Sequence, residues 1–572
     1  MKTHKALLND ISLDAPWELV ETFARTPRWK PADVNKGADM IVRRLRKLGA
    51  PVTVHEPEIY LSIPYDASVT ACGRVMRAKP PAYCVPTSGT TAEVAYVPAA
   101  YSKSIGKLFH RNQTVTDMSR LRGRIAVSEG FAFPQKIREF ELAGAVGVIA
   151  VNPGVDVHWG ICTSIWGTPD LDDLPRKPGI PVVAVNNPDG RDIIKLAGTA
   201  ETVTIAAHLE EGWYRQKVPV VEIRGAVEPE KFVLLHGHYD SWDVGVGDNA
   251  TGDATMLEIA RVLAAHAGRL RRSVRIAWWP GHSTGRYAGS TWFADHFALD
   301  LDANCVAQIN CDSPGCRWAT EFKDVSWMKE TEAYARAVIK AVCGLDGHGE
   351  RPHRAGDYSF NNIGLSSLLM LSSTMPDALR AKKGYYTVGG CGGNIAWHTE
   401  NDTLEIADRD ILLRDIKVYC EMVAGIADAE ILPFDWRAQI AEFGDTIAAY
   451  QKAAGKAFDL TPAAEATAAL GERLETFYKA TQRGKVKPAA ANAVIQRLAR
   501  ILVPINYTTT PRFRHDPATP VPALPTLAPA TQLKGLDKTR LGFARTQLVR
   551  GQNRYIAALR DAETIVAAAL AG

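Results

Sequence analysis

The chain has no long run of one charge, no paired-cysteine framework and no apolar stretch of membrane-spanning length. Its 67 Lys and Arg against 63 Asp and Glu leave a formal net charge of +4 over 572 residues. With no basic run behind it, that balance gives nucleic-acid binding no footing. The nine cysteines are odd in number and scattered. The closest pair, Cys311 and Cys316, has a spacing too weak to indicate zinc. They read as reduced thiols, and the expected location is cytoplasmic. The opening MKTHKALLNDISLD lacks the apolar centre of a signal peptide, and no run approaches the roughly 20 residues of a membrane span. The expectation is no membrane partner and no nucleic acid.

What is present is ordinary in bulk, with 46% hydrophobic and 23% charged residues. The length exceeds what one core usually holds, so two to three domains are expected. The information lies in the stretch from Phe232 to Asp312. FVLLH (232–236) has strand character and ends in Gly237-His238-Tyr239-Asp240, followed by SWDVGVGDNATG (241–252). A helix-period segment follows, with Met256, Ile259, Ala260 and Leu263 on one face. VRIAWW (274–279) then ends in Pro280-Gly281-His282, and CVAQIN (305–310) ends in Cys311-Asp312. Three strands thus deliver metal-capable side chains just past their C-terminal ends, the edge of an open α/β sheet where ligands bind.

Around this stretch, residues 15–48 read as two helices and Pro51 to Ile63 as strand. Strand-like GRIAVSEG (123–130), helical PQKIREFELAGA (134–145), strand-like VGVIAVNP (146–153) and IPVVAVN (180–186) make a compact α/β text of their own. Its loop carries Trp159 and Trp166, which either pack internally or overhang a cleft. A helix is expected at about 326–343 and a strand in SSLLML (366–371). The glycine-dense GGCGGN (389–394), permitting close backbone approach or only a tight turn, leads into WHTENDT (397–403). Beyond 430 the text is helical, interrupted by the proline-rich DPATPVPALPTLAPA (516–530), expected to run extended.

Imidazole nitrogen and carboxylate oxygen suit zinc and similar divalent ions, and a two-metal site needs one shared carboxylate. The candidate donors are His238, Asp248, His282, Asp312 and His398. Asp240 could orient an imidazole or hold backbone.

HYDSWDVGVGDNATG, INCD and WHTENDT resemble the zinc-binding segments of the co-catalytic dizinc aminopeptidase and glutamate carboxypeptidase family. LRGRIAVSEGFAFPQKIREFELAGAVGVIAVNPG resembles the protease-associated insert of the branch containing glutamate carboxypeptidase II and the transferrin receptor. LPFDWRAQIAEF resembles the start of that branch's dimerisation domain. The resemblance implies a mixed-sheet α/β zinc-exopeptidase-like (phosphorylase/hydrolase-like) catalytic domain at 1–88 and 223–430. It also implies a protease-associated insert at 89–222 and a C-terminal helical domain at 431–572 that builds a homodimer. One metal would be held by His238, Asp248 and Asp312, the other by Asp248, His282 and His398, with Asp240 supporting His238. The cofactor would be a divalent metal, zinc first among candidates, as one or two ions.

The family has two consecutive glutamates after the second strand, a general base and then a ligand. This chain has Gly281-His282 there. Histidine can replace a glutamate donor; glycine cannot replace a base, whose help is worth about 10²–10⁴-fold. His282 itself, Tyr287, Tyr239 or His353 could carry the proton instead. Arg286, Arg317, His353 and Arg354 are substrate candidates, because a guanidinium fork binds carboxylates bidentately. The leading expectation is a metallohydrolase of peptidase or amidase type, cleaving an amide-type bond in a small substrate, with catalytic candidates Asp240, His282 and Tyr287. A metal-dependent lyase and a non-catalytic, receptor-like binding protein are the alternatives.

Overall fold

The computed structural model of the chain describes residues 3–108, 117–369 and 371–571. Two sheets organise a mixed α/β architecture. The central one has six strands in the order Val52–His55, Val218–Ile223, Arg272–Trp279, Glu228–His238, Cys305–Asn310 and Ser367–Leu368. Phe232 to Leu235 are buried without alternation, as befits a strand covered on both faces. Its neighbours on either side run parallel to it, with His238 opposite Trp279 and His236 opposite Asn310. Parallel pairing puts the three C-terminal ends on one edge, so the segments after residues 238, 279 and 310 converge.

The helix Thr251–Ala265 shows more burial than its one apolar face predicts, being buried from Thr251 through Ala260. It lies beneath the sheet between helices Asp14–Phe23 and Arg409–Asp428, so both flanks are covered. Small and short side chains (Gly252, Ala254, Thr255) make that enclosure possible. Asp408 caps the last of these helices by accepting the amides of Asp410 and Ile411.

The second sheet has seven strands and reaches from Arg74–Ala78 at one edge to Val182–Val185 at the other. It takes in Glu58–Ala71, which the sequence reading left with the N-terminal part at 1–88. The reason is pairing: this strand lies antiparallel along Thr202–Arg215 over nearly its whole length. Two further expectations shift. The helix expected from about 326 starts at Glu332, because Phe322–Ser326 is strand paired with Gly347–Glu350. SSLLML forms only Ser367–Leu368, where Gln308 and Ile309 offer partners; residue 370 lies outside the described residues.

Helices Trp436–Ala454, Thr461–Gln482, Pro488–Tyr507 and Lys538–Ala571 make up the C-terminal part, and the proline-rich connector holds one short turn at Ala528–Gln532. Leu470, Phe477, Leu498 and Tyr555 belong to the same continuous core as the central sheet. All nine cysteines are free thiols. Among the described residues no helix is long and apolar enough to cross a membrane.

Candidate metal centre

The five donors meet at the shared strand edge. Asp248 stands between two imidazoles, with Oδ1 2.9 Å from His238 Nε2 and Oδ2 3.2 Å from His398 Nε2. Asp312 Oδ2 is 3.8 Å from His238 Nε2. Donor atoms of His238, His282 and Asp312 all lie within 4.8 Å of one another. The rings of His238 and His282 stack with centroids 3.8 Å apart.

Each imidazole is pinned through its other nitrogen. His238 Nδ1 donates to the Asp240 carbonyl at 2.8 Å, His398 Nδ1 to the Trp159 carbonyl at 3.0 Å, and His282 Nδ1 to the Asp357 carboxylate at 2.7 Å. A proton fixed on Nδ1 leaves the Nε2 lone pair facing the cluster, the usual preparation of a metal-bound histidine. The residues present fit a cation on a further ground. His238 Nε2 and Asp248 Oδ1 are buried and make no aligned hydrogen bond, although they are in contact. Two lone pairs so placed repel unless positive charge lies between them. The electrostatics agree. Burial disfavours charge on His238, yet Asp248 and Asp312 outweigh it and raise its pKa well above the ordinary value. Burial likewise opposes charge on Asp248, but His238 and His398 hold its carboxyl well below the usual range.

The backbone around the cluster is held in unusual conformations. Asp243, Arg286, Tyr287, Ser313, Asp357 and His398 all have positive φ, from +46° to +72°. Such residues persist where surrounding contacts over-determine them, and they concentrate at functional sites.

A narrow cavity opens over the donors, lined by Asp248, His282, Arg286, Tyr287, Asp312, His353 and His398 among others, with Phe131, Phe133, Trp159 and Trp397 as aromatic walls. Trp159 thus overhangs the cavity, while Trp166 is buried against Tyr287 and Ser359. Trp397 lies on Gly389 and Gly390, where a Cβ would come within 2.9 Å of its ring. The glycine-dense loop therefore accommodates an indole. Trp159 also donates its amide to the His398 carbonyl at 2.9 Å, so the two residues are joined twice, once backbone to backbone and once through the imidazole.

Not every sequence candidate reaches the cavity. Asp240 is fully buried beneath it, accepting the amides of His282 and Ser283 at 3.0 Å each. It braces the turn that carries His282; its hydrogen bond with His238 is through its carbonyl, with Oδ1 farther from the same Nδ1 at 3.8 Å. Tyr239 donates its hydroxyl to the Lys217 carbonyl and has no access to substrate. Arg354 is buried under the ring of Trp166 and donates to the carbonyls of Tyr358 and Asp516, so its fork is already used. Arg317 is half-buried and outside the cavity wall. Arg286, Tyr287 and His353 do line the cavity.

Three residues not singled out in the sequence hold the centre together. Asn249 donates to the carbonyls of His238 and Cys311 and accepts the Ser313 amide, tying two strand ends to the loop. Asp402 accepts the amides of Gly247 and Asp248; burial, with the Asp248 charge beside it, pushes its carboxyl up to about 7. Asp357 backs His282. Asn249 and Asp402 lie inside segments read as ligand-bearing, so adjacency was a signal; Asp357 gave none.

Gly281 is fixed by its conformation and its neighbours. Its φ is +68°, and a Cβ there would lie 2.8 Å from Leu61 Cδ2 and 3.2 Å from Ile59 Cδ1. Restoring a glutamate by Gly281→Glu is expected to lower stability by roughly 1–3 kcal/mol through overpacking, seen as a fall in Tm, without raising turnover of any amide substrate. A gain in turnover at unchanged Tm would contradict this placement.

Part of the chain is similar to known proteins. Residues 220–423 match the model of Peptidase family M28. Aminopeptidase NAALADL1 of Mus musculus is 42% identical over 94 residues, 16% of this chain and 12% of that protein. Aminopeptidase YwaD of Bacillus subtilis is 23% identical over 397 residues, 66% of this chain and 76% of that protein. The alignments to the mouse protein and its first relatives thus span only about one eighth of their lengths. Among solved structures, a zinc aminopeptidase from Bacillus subtilis superposes with a TM-score of 0.53 at 19% identity, covering 73% of this chain and 96% of that one. At that identity the likeness speaks to the fold. The segment that matches the Peptidase family M28 model contains His238, Asp248, His282, Asp312 and His398, so the likeness is strongest where the candidate donors converge.

Proposed function

We propose that the protein is a metal-dependent hydrolase of an amide-type bond in a small, peptide-like substrate bearing a carboxylate, with zinc as its ion. The observation that carries this reading is the convergence of His238, Asp248, His282, Asp312 and His398, with all three imidazoles turned Nε2-inward. The donor set would hold two ions with Asp248 between them, and such ions supply Lewis acidity toward the scissile carbonyl and activation of water. The named zinc aminopeptidase of the same fold supports the choice of metal.

The chain's own groups divide the remaining work. With Nδ1 given to Asp357, His282 has one nitrogen for the cavity, which cannot bind an ion and carry a proton at once; we assign it the ion. Tyr287 accepts the Gly356 amide at its hydroxyl oxygen, which leaves its O–H to donate into the cavity. Tyr287 and His353 are the groups placed to move a proton to a leaving amine. The aromatic walls exclude water and suit an apolar moiety, and Arg286 receives the carboxylate.

One feature favours a lyase as the second reading. Among the described residues the only carboxylates lining the cavity are Asp248 and Asp312, both donors. Turnover in ¹⁸O-labelled water separates the two. Hydrolysis is expected to put one labelled oxygen in the product and to stop with chelator. Label-free product would establish the lyase, and fewer than one ion per purified chain would overturn both.

A further inference from the structure

We propose that Asp357 is the positioning residue of this centre: it fixes His282 with Nε2 toward the cation and completes the donor as a charged Asp–His pair. This inference rests on the metal-centre reading, though on neither choice of reaction.

Asp357 is fully buried and both of its oxygens are engaged. Oδ2 takes the proton of His282 Nδ1 at 2.7 Å, and Oδ1 accepts from Ser290 Oγ at 2.7 Å. Behind Ser290 the hydrogen bonds continue in one direction. Ser359 Oγ lies 2.9 Å from Ser290 Oγ, and Trp166 Nε1 donates to Ser359 Oγ at 2.9 Å. An indole N–H can only donate. Ser359 Oγ thus accepts from Trp166 and keeps a proton to offer Ser290, and Ser290 Oγ, whose other acceptor is the Tyr287 carbonyl at 3.2 Å, donates to Asp357 Oδ1 over the shorter 2.7 Å. An acceptor fed from both sides is an ionised one, and it leaves His282 as the Nδ1–H tautomer. The φ of +46° at Asp357 places it among the strained residues around the cavity.

The consequence concerns charge. Imidazole is a neutral donor. Hydrogen-bonded to a buried carboxylate, it presents the cation with the negative charge that a carboxylate donor would bring, at the distance of one ring. Outer partners of this kind are worth about 10–100-fold in metal affinity.

The test is metal affinity on the purified full chain, read by chelator competition with Zn²⁺ and by the visible spectrum of the Co²⁺-loaded protein. Asp357→Asn keeps an acceptor for His282 Nδ1 and removes the charge. It should weaken one ion by about 10–100-fold, leave the other within about threefold, and alter the Co²⁺ absorption while Tm holds. His282→Glu combined with Asp357→Asn should recover the lost affinity, because a glutamate brings its own charge. Wild-type affinity for both ions in Asp357→Asn overturns the inference alone. So does equal weakening of both ions with a lowered Tm, the signature of a merely structural role. A wild-type chain that takes up no ion overturns the metal-centre reading and this inference with it.

Discussion

Asp248→Ala is expected to abolish metal loading and activity together. Asp248 is the one donor in contact with imidazoles on both sides, at 2.9 Å and 3.2 Å. In the proposed two-ion arrangement every other donor would serve a single ion. Losing a partner behind a ligand costs about 10–100-fold in affinity, and losing the shared ligand should exceed that at both positions. The substitution also leaves His238 and His398 facing each other across a gap with no carboxylate between them. The measurement is ion content after dialysis, with turnover on the same sample. His282→Ala is the internal comparison, since it should lower occupancy at one position and leave the other. An Asp248→Ala chain that kept both ions would remove the shared-carboxylate arrangement, and with it the basis of the proposed chemistry.

Arg286 should show the second largest effect, on substrate binding. Its side chain is 4% exposed, and Nε and Nη2 have no hydrogen-bond partner. Its guanidinium sits 4.8 Å from the Tyr287 ring, and among the described residues no carboxylate pairs with it. A buried charge of this kind is costly unless something meets it, and it faces the cavity. A hydrogen bond to a charged group is worth about 1.5–3 kcal/mol. Arg286→Ala should therefore raise KM for a carboxylated substrate by roughly 10–150-fold, with kcat much less affected. Arg286→Lys should recover only part of this, because an ammonium lacks the planar fork. Stability should move the other way: relieving an unpaired buried charge should leave Tm unchanged or raised. Equal KM values for wild type and Arg286→Ala on such a substrate would dismiss carboxylate recognition at this residue.

How much of this was legible in the sequence depends on how far a signal reaches along the chain. The convergence of the candidate donors was legible, because each follows an apolar strand or sits in a glycine-bearing turn, and parallel pairing does the rest. Tyr287 and Arg286 were legible as neighbours of His282. Asp357 was not, since it meets His282 across 75 residues and its own loop, HGERPHRAGDYSF, has no period or spacing that aims one side chain. The same loop explains why Arg354 was misjudged: His353 reaches the cavity wall while the next side chain turns under Trp166. The sheet holding Glu58–Ala71 was hidden for a related reason. Its partner strand lies more than a hundred residues on, and pairing over such a separation leaves no local trace.

The pair of hydrogen bonds that joins Trp159 to His398 has a consequence for how the molecule can be taken apart. Trp159 belongs to a loop of the seven-stranded unit and His398 to the opposite side of the cavity, so the last donor takes its aim from a neighbour outside the central sheet. A trimmed chain lacking that unit would keep its main core and lose the angle of one imidazole. The seven-stranded unit thus walls the cavity, and the aim of one candidate donor depends on two sheets staying in step.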